Sequence, residues 1–351
     1  MNRTIKYFLG VLISVIGLYY AFRQVNFWEL WISIKNVNII LIILAVFILV
    51  LSNVIRAWRW QILVKPIKDV SFDPAFSSIM IGYFGNSVLP FRMGEFLRAY
   101  VVADKTSLTA STAFGTIVIE RILDFVGLSA VILLIMTVYP LKSIGGSIII
   151  GVIVLSLTAF IFIFLFGGVK STLLVKIEKS SLLRIGLLRK ISLFIKNFMD
   201  GATTIRATNK LGIILLYTLI IWIMYYCSTY LATIATGIEL EWFGFGVLLI
   251  STTLAISVPA APGYVGTYHA AAVYILTNLF DVGRIDAQAT AIILHAVGTI
   301  PIVIIGAGYF LNSSVNFKDI NDQGLSPNED ISVSYTHLRA HETEADLVCR
   351  L

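Results

Sequence analysis

Six ionisable residues in two short stretches set the chemistry open to this chain. The first stretch, Gly85–Arg98, reads Gly-Asn-Ser-Val-Leu-Pro-Phe-Arg-Met-Gly-Glu-Phe-Leu-Arg and carries Arg92, Glu95 and Arg98. The second holds Glu120, Arg121 and Asp124 in the middle of an apolar run. Arginine presents a planar donor fork that suits phosphate or carboxylate. Carboxylates among arginines can attract a cationic group, carry a proton or close an ion pair. Arg121 and Asp124 are three apart and pair along one helix face. Glu120 shares that face with Asp124, so it needs a cation of its own or a proton. Arg92 and Arg98 are the nearest candidates by topology. Asn86 reads as a cap for a broken helix or as a ligand contact. His269 reads as a pocket residue or as a hydrogen-bonding group within the bundle, and His295 as a helix–helix hydrogen bond.

The setting makes these charges informative. Of 351 residues, 58% are hydrophobic and only 13% charged, against about 25% charged in ordinary globular domains. The fold class is therefore an all-α polytopic membrane protein. A charge at a helix centre costs about 2.5–3.5 kcal/mol on insertion scales, so Glu120, Arg121 and Asp124 facing lipid would cost roughly 8–10 kcal/mol. They must face a partner or a wet cavity. Two readings follow: a hydrophilic pocket open to one leaflet, built by Arg92, Glu95, Arg98, Glu120, Arg121 and Asp124, or a buried ion-pair lock between helices.

Other chemistries find little support. The formal charge of +6 sits in loops beside spans, so it does not point to nucleic acid. Cys227 lies in an apolar run and Cys349 in the tail, which suggests no disulfide framework. No spacing matches a metal site, a phosphate-cradling glycine loop or a nucleophile elbow. No metal or other cofactor is expected.

The elements that position these residues read as six full spans: Ile5–Phe22, Val37–Ile55, Thr106–Tyr139, Ile144–Phe166, Leu211–Thr236 and Ala287–Leu311. Two broken or re-entrant helical hairpins, Phe76–Ala103 and Trp242–Phe280, complete the set. Pro90 and Gly94 break the first hairpin, and Pro262 and Gly266 break the second with the same Pro-x-x-x-Gly spacing. Each hairpin could instead be a pair of tilted spans. Broken elements that enter from opposite faces are the pattern of inverted-repeat transporters.

Arg56-Ala-Trp-Arg-Trp60 follows the second span and reads as a headgroup-level anchor. Residues 167–210 form a cytoplasmic basic segment whose later part is amphipathic. Lysine and arginine excess there, in the Arg56–Asp73 loop and at the N-terminus puts both termini in the cytoplasm. The location expected is the cell membrane. The transmembrane domain then spans 1–311 and a cytoplasmic tail 312–332. Residues 333–351 resemble translated sequencing adapter and are set aside.

Taken together, Arg56-Ala-Trp-Arg-Trp60, Asn86-Ser-Val-Leu-Pro-Phe-Arg-Met-Gly-Glu95 with Arg98, Glu120-Arg121 with Asp124, and Pro262-Gly-Tyr-Val-Gly266 resemble the lysylphosphatidylglycerol synthase/flippase transmembrane family. The resemblance covers nearly all of the chain to about Leu311. It implies a lipid-handling bundle, whose best-known members move an aminoacylated phospholipid between leaflets. Relatives often carry Glu where this chain has His269, a departure that bears on headgroup preference. Family enzymes append a soluble aminoacyltransferase or glycosyltransferase domain, and about 40 residues after the last span cannot hold one. The expectation is a translocation module for a membrane phospholipid or other polar lipid, aminoacylated or glycan-linked, rather than an enzyme. The alternatives are an accessory subunit for a separate transferase docked through 167–210, and a membrane-embedded transferase with Glu95 or Glu120 as base.

Overall fold

The computed structural model describes residues 3–23, 25–89, 92–139, 146–166, 186–257 and 261–313. Pro90, one of the expected breaks, lies outside the described residues, as do 167–185, the first part of the basic segment, and everything after Ser313.

Every regular element among the described residues is helical. In chain order they are α1 (Arg3–Phe22), α2 (Phe27–Lys35), α3 (Ile39–Val64), α4 (Phe72–Val88), α5 (Gly94–Lys105), α6 (Ala110–Met136), α7 (Gly146–Phe166), α8 (Gly186–Ala202), α9 (Thr204–Ala207), α10 (Leu211–Ile234), α11 (Trp242–Ser257), a 3-10 turn at Pro262–Tyr264, α12 (Thr267–Leu279) and α13 (Arg284–Leu311). By length and composition, α3, α10 and α13 are long and apolar enough to cross a membrane. Only 22% of the most apolar window of α3 is buried inside the protein. Ile40, Ile43 and Phe47 on α3 and Ile300 and Ile304 on α13 all point outward. Between helices in lipid there is no hydrophobic drive, so association rests on close packing and polar contacts.

Both kinds of contact are visible. α3 packs along α10, α4 folds back on α5, α13 lies beside α4, and α6 lies against α8. Where α6 crosses α8, Gly115 and Gly201 meet backbone to backbone, and a β-carbon on either would collide with a carbonyl of the other helix. Asn26 and Asn38 cap α2 and α3, each accepting from two backbone N–H groups of the first turn. On α2, Phe27, Trp28 and Trp31 are exposed, which suits a helix lying in the membrane interface.

Arg56 and Arg59 were expected at the headgroups, after a span ending at Ile55. Instead α3 continues unbroken to Val64, and Arg56 and Arg59 are 2% and 0% exposed. The apolar Ile62-Leu63-Val64 beyond them carries the helix past the charges. At 1.5 Å rise per residue, Arg56 sits about 12 Å inside the Val64 end. The long helix expected from Thr106 starts at Ala110, where Thr109 accepts from the N–H of Thr112 as its cap.

Candidate functional site

The site is built where α3, α5 and α6 come together. On α6, Glu120 and Asp124 are one turn apart and face α3. On α3, Arg56 and Arg59 are three apart and face back. Arg56 Nη1 donates to Glu120 Oε1 at 2.7 Å and to Asp124 Oδ2 at 2.8 Å, and its Nη2 donates to Tyr225 OH at 2.9 Å. Arg59 Nη2 donates to Asp124 Oδ1 at 2.7 Å and Nη1 to Thr218 Oγ1 at 2.9 Å, so α10 is tied in as well. Arg98, from α5, donates to Glu120 Oε2 at 2.8 Å. Its guanidinium lies over the Trp60 ring, and Trp60 Nε1 donates to Thr116 Oγ1. Glu120 is wholly buried, and both of its oxygens are held by arginine from a different helix.

A second, more open layer sits beside this knot. Arg121 makes a long 3.4 Å contact to Glu120 and pairs more closely with Asp124 at 3.2 Å and with Glu95 at 3.3 Å. Arg92 reaches Glu95 at 3.5 Å. Of the two cations expected for Glu120, Arg98 makes the contact, whereas Arg92 turns to Glu95. A buried ion costs several kcal/mol to desolvate, and only excellent geometry with further hydrogen bonds repays it. The inner layer has that geometry; the outer layer is looser and partly exposed.

The outer layer opens onto a cavity of about 530 Å³. Arg56, Arg92, Glu95, Arg121, Asp124 and Asn86 line it on one side. Phe125, Leu128, Leu249 and Ile302 line it elsewhere. Arg98 and Glu120 stand behind this wall rather than in it. His269 also lies off the lining, buried, with its ring 5.6 Å from Phe22 and 4.8 Å from His295. His295 is the histidine that faces the cavity. Among the described residues, no group of three or more His, Cys, Asp or Glu side chains is placed to hold a metal.

The two helix breaks meet beside the cavity. At the first, Asn86 Oδ1 accepts from the N–H of Gly94, which opens α5. A β-carbon on Gly94 would collide with Gly82 O and with Asn86. At the second, Gly266 has φ 104° and lies against Ser14 O of α1, leaving no room for a side chain. Pro262 begins the 3-10 turn, which packs on α4. His295 Nε2 lies 2.8 Å from Gly263 O and holds that turn from α13. Two non-glycine residues take left-handed backbone here, Arg92 at φ 57° and Tyr264 at φ 59°, one in each break. Such conformations cost of order 1–3 kcal/mol and persist only when surroundings impose them.

Sequence reasoning missed Arg56, Arg59, Thr218 and Tyr225. The one hint for the arginines was the apolar Ile62-Leu63-Val64 that follows Trp60; Glu120 and Asp124 are already matched in number by Arg121 and Arg98.

Comparison with known proteins gives the family. Residues 7–306 match the family model described as the lysylphosphatidylglycerol synthase TM region. A UPF0104 membrane protein of Methanocaldococcus jannaschii is 28% identical over 65% of this chain and 93% of its own length. A UPF0104 membrane protein of Methanothermobacter thermautotrophicus is 23% identical over 66% of this chain and 70% of its own. A protein of Haloferax volcanii named glycosyltransferase AglD is 23% identical over 90% of this chain and 56% of its own length. No solved structure matches. The chain belongs to the lysylphosphatidylglycerol synthase TM region family and is an integral, multi-pass membrane protein.

Proposed function

We propose that this member of the lysylphosphatidylglycerol synthase TM region family is a flippase-like transporter that moves a polar lipid between leaflets. The observation that carries the reading is a cavity that combines a charged cluster with apolar lining, at the meeting point of two broken helices. Midplane sites bounded by broken helices are the common design of membrane transporters. Arg92, Glu95, Arg121 and Asp124 are assigned to headgroup contact, with Asn86 holding the break. Arg98 and Glu120 act from behind, by fixing the helices that present those groups. His269 supports the second break through His295.

The topology that goes with this reading has six spans, two re-entrant hairpins related as inverted repeats, and both termini in the cytoplasm of a cell-membrane protein. Its transmembrane domain is 1–311 with the basic segment 167–210, followed by a tail at 312–332 and an adapter-derived 333–351. The matching left-handed residues at the two breaks support the repeat.

The test is lipid scrambling in reconstituted vesicles, read as loss of outer-leaflet fluorescence on adding an impermeant quencher. Wild-type protein is expected to move labelled lipid at least tenfold faster than Glu95→Ala or Arg92→Ala. Equal rates in all three would sink the transporter reading.

A second reading has one observation in its favour: the relative named a glycosyltransferase is longer than the region it shares with this chain. On that reading the chain is the membrane partner of a separate transferase bound through 167–210. Co-purification of a soluble transferase, with no lipid movement by the chain alone, would select it.

A further inference from the structure

The charges around the cavity do not balance. Among the described residues, Arg56, Arg59, Arg92, Arg98 and Arg121 meet three carboxylates, Glu95, Glu120 and Asp124. Five cations against three anions leave a formal excess of two positive charges within the bundle. Each carboxylate is engaged by at least two arginines, so none is free to receive a cation from outside. Donors, by contrast, are left over. Arg56 is 2% exposed, lines the cavity, and has a buried Nε with no hydrogen-bond partner. Arg121 Nε, on the same wall, lies near Glu95 but makes no hydrogen bond. Among the described residues, Arg92 is held by the long 3.5 Å contact to Glu95.

Excess buried charge is costly unless something compensates it. The remainder of the lining carries no further charged side chain at neutral pH and includes an apolar group of Phe125, Leu128, Leu249 and Ile302, alongside hydroxyl-bearing residues such as Thr252 and Tyr268. An ion alone would leave that surface unfilled. We infer that the cavity takes a net-anionic, phosphate-bearing amphiphile, with its phosphate on Arg92, Arg121 and Arg56 and its apolar part along the Phe125–Leu249 side. This rests on the transporter reading and narrows it: a cationic headgroup, such as an aminoacylated one, would meet arginines in excess and no free carboxylate. Phosphate and arginine form bidentate, charge-assisted pairs. Arg56 stays tied to Glu120 and Asp124 and adds its charge to the wall, while the looser Arg92 and Arg121 swing to meet the ligand.

The test is equilibrium binding to the full chain in detergent, with a fluorescent short-chain phosphatidylglycerol as probe, read by anisotropy. Competitors are unlabelled short-chain phosphatidylglycerol, the phosphatidylcholine of equal chain length, an amino-acid ester of the first lipid, and inorganic phosphate. The anionic lipid is expected to displace the probe at a concentration at least tenfold below either the zwitterion or the cationic ester. Arg92→Gln, at the partly exposed rim, is expected to weaken anionic-lipid binding about tenfold. Glu95→Gln, which frees Arg92 and Arg121, is expected to strengthen it about threefold. Opposite signs in two neighbouring variants separate a charge effect from misfolding. Equal competition by all three lipids, or preference for the cationic ester, overturns the inference. Displacement by inorganic phosphate as effective as by the lipid overturns its amphiphile part. Scrambling without anion preference would refute this inference and leave transport standing; anion preference without scrambling would do the reverse.

Discussion

Glu120→Gln is the most informative single change, because it removes one charge and keeps the shape. In the native protein Oε2 of Glu120 accepts from Arg98 at 2.8 Å and Oε1 accepts from Arg56 at 2.7 Å. The substitution leaves Arg98, 1% exposed, without a counter-ion and raises the local excess from two positive charges to three. Removing one partner of a buried pair costs about 3–5 kcal/mol. At roughly 2 °C per kcal/mol for a chain of this size, the melting midpoint should fall by about 6–10 °C. The assay is monodispersity in detergent after heating, followed by size-exclusion chromatography. Arg98→Gln alone should cost a similar amount. The double variant removes both ions, so it should be less damaged than the sum by about 1–3 kcal/mol, the range for residues in one network. Refutation is straightforward. If Glu120→Gln melts with the wild type and the double variant is additive within about 0.5 kcal/mol, Glu120 is not held by these arginines.

Two further changes probe the supports of the site. Arg56→Lys replaces a fork that reaches Glu120, Asp124 and Tyr225 with a point donor; loss of one charged hydrogen bond costs about 1.5–3 kcal/mol, so the same heating assay should show a drop of a few degrees, and no drop would mean the fork geometry is dispensable. Asn86→Ala removes the acceptor for the Gly94 N–H; the cost is about 1 kcal/mol, and hydrogen exchange of the 92–97 amides should speed up locally, with unchanged exchange counting against the cap.

The helical class and the meeting of 85–98 with 120–124 could be read directly from the chain, because broken backbone and charge are both conspicuous against apolar surroundings. Arg98 as the cation for Glu120 was readable for the same reason. Arg56 and Arg59 had only the apolar residues after Trp60 to hint at burial. An arginine between tryptophans at the end of an apolar run has the composition of an interfacial anchor, and what distinguishes it is a carboxylate 64 residues later. Thr218 and Tyr225 carry no local signal at all; each acquires its role only because α10 packs along α3. His269 illustrates the converse error. It follows the second break closely enough to suggest the cavity, yet a helix places neighbouring side chains on different faces, and His295 from α13 occupies that place.

The pairing of α3 with α6 also has a consequence for biosynthesis. Arg56 leaves the ribosome 64 residues ahead of Glu120, which at 5–20 residues per second is a delay of roughly 3–13 s. Throughout that interval α3 must be held in the bilayer by its own apolar residues, each favouring insertion by about 0.3–0.6 kcal/mol at the helix centre. Its two long guanidinium side chains can meanwhile reach toward the headgroups. They are drawn inward only when α6 arrives with the carboxylates. The anchor-like sequence around Trp58 and Trp60 thus suits the nascent helix, and the ion-paired core suits the finished one.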